Sequence, residues 1–303
     1  MVLEDGGIKL QNWKKVLARG EKPDFSQWLA LAKSFNSGNK VFVDCTASEE
    51  IAGRYLEIAE AGFHIVTPNK KFNVLPMRDY KKMREVLAHT SKKFLYETNV
   101  GAALPVISTL QDLLKTGDKI TKIEGVFSGT LSYIFNSYDG SKSFSEVVAT
   151  AKKLGYTEPD PREDLNGNDV GRKLLVLARE MGLEMEMKDV KIQNLVPSAL
   201  KKLKSGEEFL NNLPKYNNQF KKLLERAQAK NKVLRYVAKL EHGKASASLQ
   251  EVDLKNPLAA TQDADNIFAF YTKRYNKRPL VVQGPGAGRE VTAGGVLADI
   301  LRI

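Results

Sequence analysis

Val41-Phe42-Val43-Asp44-Cys45 is a short apolar run of the kind that forms a buried strand, and the elements downstream of it set the architecture. Ser48-Glu49-Glu50 opens a helix expected to run to about Ala61 and to stop at Gly62. A second apolar run, Phe63-His64-Ile65-Val66-Thr67, ends at Pro68. A helix comes next, from about Met77 to His89, and Lys93-Phe94-Leu95-Tyr96-Glu97 makes a third strand. Strand alternating with helix predicts a parallel, doubly wound sheet up to about residue 100. Upstream, residues 8 to 35 read as two helices separated by Gly20-Glu21-Lys22-Pro23.

The rest of the chain has a different grain. Residues 105 to 116 and 144 to 154 read as helices flanking a strand at Ile120 to Phe127. Residues 169 to 182 form a helix with Val170, Leu174 and Leu177 on one face. The stretch 198 to 232 is Lys- and Asn-rich helix with breaks at Gly206 and Pro214. Val233 to Glu241 and Ala245 to Leu254 alternate like antiparallel strands, Phe268 to Tyr275 can add another, and Leu280 to Gln283 runs into a glycine cluster and a terminal helix. This half is α+β.

Composition narrows the class. The 303 residues are 42% hydrophobic, enough for a large core and two domains. No apolar run approaches the ~18 residues of a membrane span, and residues 1–7 show no signal-peptide pattern. One cysteine, Cys45, excludes an intramolecular disulfide. These features predict a cytoplasmic protein without membrane association. The net charge of +11 invites a nucleic-acid reading. However, the lysines are scattered in pairs on amphipathic helices, and no recognition module accompanies them.

Four motifs carry chemistry. Gly284-Pro285-Gly286-Ala287-Gly288 succeeds a strand and precedes a helix, but no frame places three glycines as G-x-G-x-x-G. It reads equally as a structural turn or as a cofactor contact. Gly155-Tyr156-Thr157-Glu158-Pro159-Asp160-Pro161-Arg162-Glu163-Asp164 gathers four carboxylates and an arginine within seven positions, stiffened by prolines. That is either a solvated helix entry or a held set of carboxylates. Asp169 and Lys173 lie four apart on one helix face. They make a surface ion pair, or a proton-donating lysine oriented by a carboxylate. Glu97-Thr98-Asn99-Val100-Gly101-Ala102-Ala103-Leu104-Pro105 is a tight strand-to-helix turn, or one carboxylate and several carbonyls presented to a hard cation. The three histidines are far apart and argue against zinc, and no G-x-S-x-G elbow supports a hydrolase.

In this order, several stretches resemble homoserine dehydrogenases, above all the dehydrogenase half of bifunctional aspartokinase–homoserine dehydrogenases. They are Val43 to Ser48, Val66 to Lys71, Lys93 to Pro105, Phe127 to Phe135, Gly155 to Lys173, and Gly286-Ala287-Gly288 with Val291-Thr292-Ala293. The resemblance covers nearly the whole chain and is weakest over 198 to 232. It implies reduction of aspartate 4-semialdehyde to homoserine, in threonine and methionine biosynthesis. The implied cofactor is NADP, with NAD the alternative. Lys173 would be the acid–base residue with Asp169 beside it, and Glu158 and Asp169 would bind substrate with support from Asp164. Thr46, Lys70, Gly155 and Gly288 would contact the cofactor. Glu97 and the carbonyls of Val100, Ala102 and Leu104 would hold sodium or potassium.

The implied architecture is an incomplete Rossmann-type parallel sheet, residues 1–104, completed by 278–303. An α+β catalytic and dimerisation domain, 105–277, is inserted in it. Partners would be a small-molecule substrate, a second copy of the chain in a homodimer or higher oligomer, and a fused or associated aspartokinase. Nucleic acid is not expected.

Departures from the family pattern are Ala103 for Gly, Glu163 for Asp and Gly171 for Ala, the last expected to cost about 1 kcal/mol in a helix. The larger departure is at the front, where the family's strand, G-x-G-x-x-G turn, helix and second strand have no counterpart. The expectation is an incomplete copy of an active oxidoreductase that binds NADPH poorly and turns over little substrate. The alternatives are a non-catalytic interaction or ligand-binding subunit and, more remotely, a nucleic-acid role.

Overall fold

A computed structural model describes the chain except Met1, Leu3, Asp5, Pro23, Asn36 and Ser37. Pro23, expected in the break between the first two helices, thus lies outside the described residues. Those helices span Trp13–Ala18 and Phe25–Ser34, the second capped by Asp24, whose carboxylate accepts the Gln27 N–H.

Three strands, β1 (Val41–Val43), β2 (His64–Val66) and β3 (Phe94–Leu95), form a parallel sheet in that order, with Val41 opposite His64 and Ile65 opposite Phe94. The expected helix after Ser48 is two pieces, Glu49–Gly53 and Tyr55–Glu60. The break comes after Gly53, a poor helix former, and at Arg54 the N–H turns to the Ile51 carbonyl in a tighter turn. The helix Met77–Thr90 ends on Ser91 in the left-handed region. β3 is shorter than expected because the chain turns at Glu97–Asn99.

The second sheet has six strands: β4 (Ile120–Val126), β5 (Lys191–Ile192), β6 (Lys232–Glu241), β7 (Lys244–Asp253), β8 (Asp265–Thr272) and β9 (Leu280–Pro285). Their order is β5-β7-β6-β4-β8-β9, antiparallel except where β5 runs along β7. One face carries the helices Gly129–Ser137 and Asn168–Glu180, both in contact with β6. The first of these has no expectation in the sequence reading; Ser128 caps it by accepting the Leu131 N–H. The 198–232 stretch resolves into the helices Gly206–Asn212 and Asn217–Gln228 joined by a tight turn, close to the expected breaks. Phe220 of the latter stacks on Phe144 at 3.6 Å between centroids.

Residues 278–303 divide between the two sheets. β9 pairs with β8 in the larger one. The helix Arg289–Leu301 returns to the smaller one, where Asp299 accepts the Glu97 N–H at 2.9 Å and the Lys93 ammonium reaches the Arg302 carbonyl.

The helix Asn168–Glu180 ties the two halves together. At its far end the wholly buried Arg179 guanidinium donates to the carbonyls of Asn73, Leu75 and Met185 and pairs with Glu186. Glu180 next to it takes Arg84 at 2.9 Å, Gln111 at 2.8 Å and the Tyr96 hydroxyl. A guanidinium without these acceptors would carry its full desolvation penalty, so the contact is satisfied as a set. Gly171, expected to weaken this helix, is where Ile192 packs: a Cβ there would lie 2.3 Å from Ile192 Cδ1. Close approach to β5 explains the missing methyl.

Candidate active site

Between the sheets lies a cleft of about 1090 Å³. The small sheet presents its carboxyl strand ends to it through Pro68, Lys70, Thr98 and Asn99, the usual position of ligands in an open parallel sheet. The larger half contributes Ser128 to Thr130, Gly155 to Glu158, Asp164, Asp169, Lys173, Asp263 to Asp265 and Pro285 to Gly288.

The centre of the cleft is a lysine–aspartate–lysine set. Lys173 is 8% exposed, and its ammonium pairs with Asp169 Oδ2 at 2.9 Å and donates to the Phe127 carbonyl at 2.7 Å. The other Asp169 oxygen takes Lys70 at 2.9 Å, from the opposite half of the molecule. An ammonium has three donors, and these contacts use two of Lys173's. Burial pushes the Lys173 pKa down, against the attraction of Asp169. Burial also opposes ionisation of Asp169, but Lys173 and Lys70 together overrule it and hold its carboxyl well below the usual range.

The second carboxylate group is built from the Gly155–Asp164 loop. Asp164 accepts the Glu158 N–H at 2.9 Å through one oxygen and meets the Thr130 hydroxyl at 2.8 Å through the other. That hydroxyl also reaches the Tyr156 carbonyl. Burial pushes the Asp164 pKa up to about 6, against the Thr130 and Glu158 hydrogen bonds, which favour the ionised form. The Glu158 side chain is exposed at the rim.

This burial implies a pH dependence. A carboxyl raised in the folded state stabilises the fold most below its ordinary value, and that stability is lost as pH rises through the folded value. Between about pH 4 and 6 the wild type should therefore lose stability on Asp164's behalf, and Asp164→Asn should not. Melting temperatures of the two proteins across that range should converge at the acid end. Parallel curves would show that Asp164 titrates normally.

Of the residues singled out from sequence, Lys70, Gly155, Glu158, Asp164, Asp169, Lys173, Ala102 and Gly288 line this cleft. Thr46 does not. It is exposed after β1, its N–H bound to Asp44, whose buried carboxylate also takes Tyr55 and Asn69. Glu97, Val100 and Leu104 lie off the lining as well. Both Glu97 oxygens cap the helix Ile107–Lys115, accepting the N–H groups of Ile107 at 2.7 Å and Ser108 at 3.0 Å. Arg302 stands 3.5 Å from one of them. The Leu104 carbonyl takes the Val106 N–H, whereas those of Val100 and Ala102 accept no hydrogen bond among the described residues. No group of three His, Cys, Asp or Glu residues is placed to hold a metal among the described residues.

Sequence reasoning gave no role to Thr130, the Phe127 carbonyl or Asp263 to Asp265. The signal for the first two was a strand running straight into Ser128-Gly129-Thr130, a capped helix start.

A parallel sheet with its strand ends on a cleft, faced by a buried lysine and carboxylates, is the arrangement of a ligand-binding α/β site. Residues 5–97 match the family model described as homoserine dehydrogenase, NAD binding domain, and residues 105–301 that described as homoserine dehydrogenase. The homoserine dehydrogenase of Paracoccidioides brasiliensis is 41% identical over 314 residues, 98% of this chain and 84% of the relative. The bifunctional aspartokinase/homoserine dehydrogenase of Haemophilus influenzae is 47% identical over the whole chain, which spans 37% of that relative. A crystal structure of a Candida auris protein of unknown function superimposes with a TM-score of 0.92 at 40% identity, over 99% of this chain and 86% of that one. The chain belongs to the homoserine dehydrogenase family. No helix among the described residues is long and apolar enough to cross a membrane.

Proposed function

We propose that this chain reduces L-aspartate 4-semialdehyde to L-homoserine, a step towards threonine and methionine, with NADPH, or NADH in its place. The observation that carries this reading is Asp169 bridging Lys173 and Lys70 across the cleft. The cofactor, when bound, supplies the hydride. Lys173 gives the aldehyde oxygen its proton through the donor that its two protein contacts leave over. Asp169 fixes that ammonium and, with Glu158, holds the substrate's amino end; Asp164 keeps the Glu158 segment in place. Thr46, Lys70, Gly155 and Gly288 are assigned to the cofactor.

Glu97 with the carbonyls of Val100, Ala102 and Leu104 is proposed to hold sodium or potassium. The fit is partial: Glu97 is shared with a helix N-terminus and with Arg302, and the Leu104 carbonyl is taken. No catalytic step depends on it. The proposed domains are 1–104 with 278–303, and 105–277, with β9 of the former joined to the sheet of the latter through β8. A cytoplasmic homodimer, fused to or associated with an aspartokinase, is the proposed setting.

Substrate binding tests the reading without requiring turnover. L-homoserine should raise the melting temperature of the 303-residue chain, and Asp169→Ala should remove that shift. NADPH should raise it as well, and Lys70→Ala should weaken that second shift. A chain that neither homoserine nor NADPH stabilises would overturn the assignment.

A further inference from the structure

Asn266 is wholly buried, and neither polar atom of its side-chain amide has a hydrogen-bond partner. Its place is specific. It lies at the start of β8, opposite Gly284 of β9, and its neighbours Ala264 and Asp265 line the cleft together with Pro285 to Gly288. The amide lies close against Gly286: a Cβ on that glycine would sit 2.0 Å from Asn266 Nδ2. The turn is thus shaped around this side chain and yet makes no bond to it.

A buried amide with both its donor and its acceptor unmet is costly, and native proteins keep few such groups without a reason. An apolar residue of the same shape would avoid the penalty. Gly284, within β9, and Gly288, before the terminal helix, hold φ values of 155° and 131°, conformations that L side chains rarely adopt, so glycine is needed at both ends of the segment. Gly286 and Ala287 between them make no backbone hydrogen bond among the described residues. The Asn266 amide and the peptide groups of Gly286 and Ala287 therefore lie side by side at the edge of the cleft without bonding one another.

We infer that Asn266 is a latch for the Gly284–Gly288 turn: a ligand entering the cleft shifts the turn, and the Asn266 amide then bonds its peptide groups and fixes the closed arrangement. The inference rests on the ligand assignment above for this cleft. Asn266 touches no ligand itself. It is a positioning residue, unsatisfied in the free protein and satisfied in the complex, so part of its effect appears as affinity.

That division predicts opposite effects of one substitution on stability and on binding. Asn266→Leu keeps the approximate shape and removes the orphaned polar atoms. It should raise the melting temperature of the ligand-free chain by about 2–4 °C. The further rise on adding L-homoserine and NADPH, separately or together, should shrink, with at least a roughly tenfold weaker apparent affinity. Asn266→Ala guards against a steric misfit of leucine: it should melt no lower than the wild type and show the same weakened ligand response. If both variants melt below the wild type, Asn266 is an ordinary structural asparagine and the latch is wrong. It is equally wrong if either variant keeps the full ligand shift. A wild-type chain that shifts with neither ligand would count against the functional reading, and variants that melt below the wild type would still overturn the latch.

Discussion

Lys173→Ala should lower homoserine oxidation by about a hundred- to ten-thousand-fold, the usual worth of a positioned proton donor. Three observations set that expectation. The side chain is almost wholly enclosed, its ammonium is held at two points by Asp169 and the Phe127 carbonyl, and burial lowers its proton affinity. No nearby group can replace it, because Lys70 is committed to the other oxygen of Asp169. Lys173→Arg should not rescue the reaction, since a guanidinium keeps its proton at any working pH and is too broad for the enclosed site. Folding should survive: Asp169, part-open to the cleft, keeps Lys70, so the melting temperature should move by only a few degrees. Turnover within about threefold of the wild type in Lys173→Ala would remove this residue from the chemistry.

Gly167→Ala should destabilise the protein by about 2–5 kcal/mol, combining left-handed strain with overpacking. Gly167 precedes the helix that carries Asp169 and Lys173, with φ at 75°. A Cβ there would meet the Tyr236 hydroxyl oxygen at 2.1 Å and Ile192 at 2.9 Å. Tyr236 cannot retreat, because it is 1% exposed and its hydroxyl donates to the Gln193 carbonyl at 2.7 Å. Relief must come from the helix start, which would carry Asp169 out of reach of Lys70. Denaturant unfolding should show the loss of stability, and homoserine-induced stabilisation should disappear with it. An alanine variant as stable as the wild type would mean that this turn is not left-handed.

The sequence is most readable where one periodicity governs a whole element. The runs at Val41 and Phe63 lie in the parallel sheet as expected, and the Asn168–Glu180 helix keeps to its spacing of Val170, Leu174 and Leu177. Reading fails where long-range contacts decide. Gly171 looks like a weakness in its helix until Ile192 is seen in the space its methyl would fill. The hold of the Ile107 and Ser108 amides on Glu97 arises only when the next helix swings beneath it. The shared face of Asp169 and Lys173 comes from a spacing of four on a helix, but Lys70, 99 residues earlier, has no local signal. Asn266 is fainter still, an ordinary polar residue at a strand start until its burial is known.

The helix that is fastened at both ends to the opposite half, by Asp169 at one end and by Arg179 and Glu180 at the other, constrains how such a protein can be inherited or recombined. Neither half can be exchanged freely for its counterpart from a distant relative. A crossover between residues 97 and 105 would separate Lys70 and Arg84 from the aspartate and glutamate that receive them, stranding charge on both sides of the seam. Chimaeras should work only when both pairs match across the join, so Lys70 with Asp169 and Arg84 with Glu180 should change together, or not at all, among relatives.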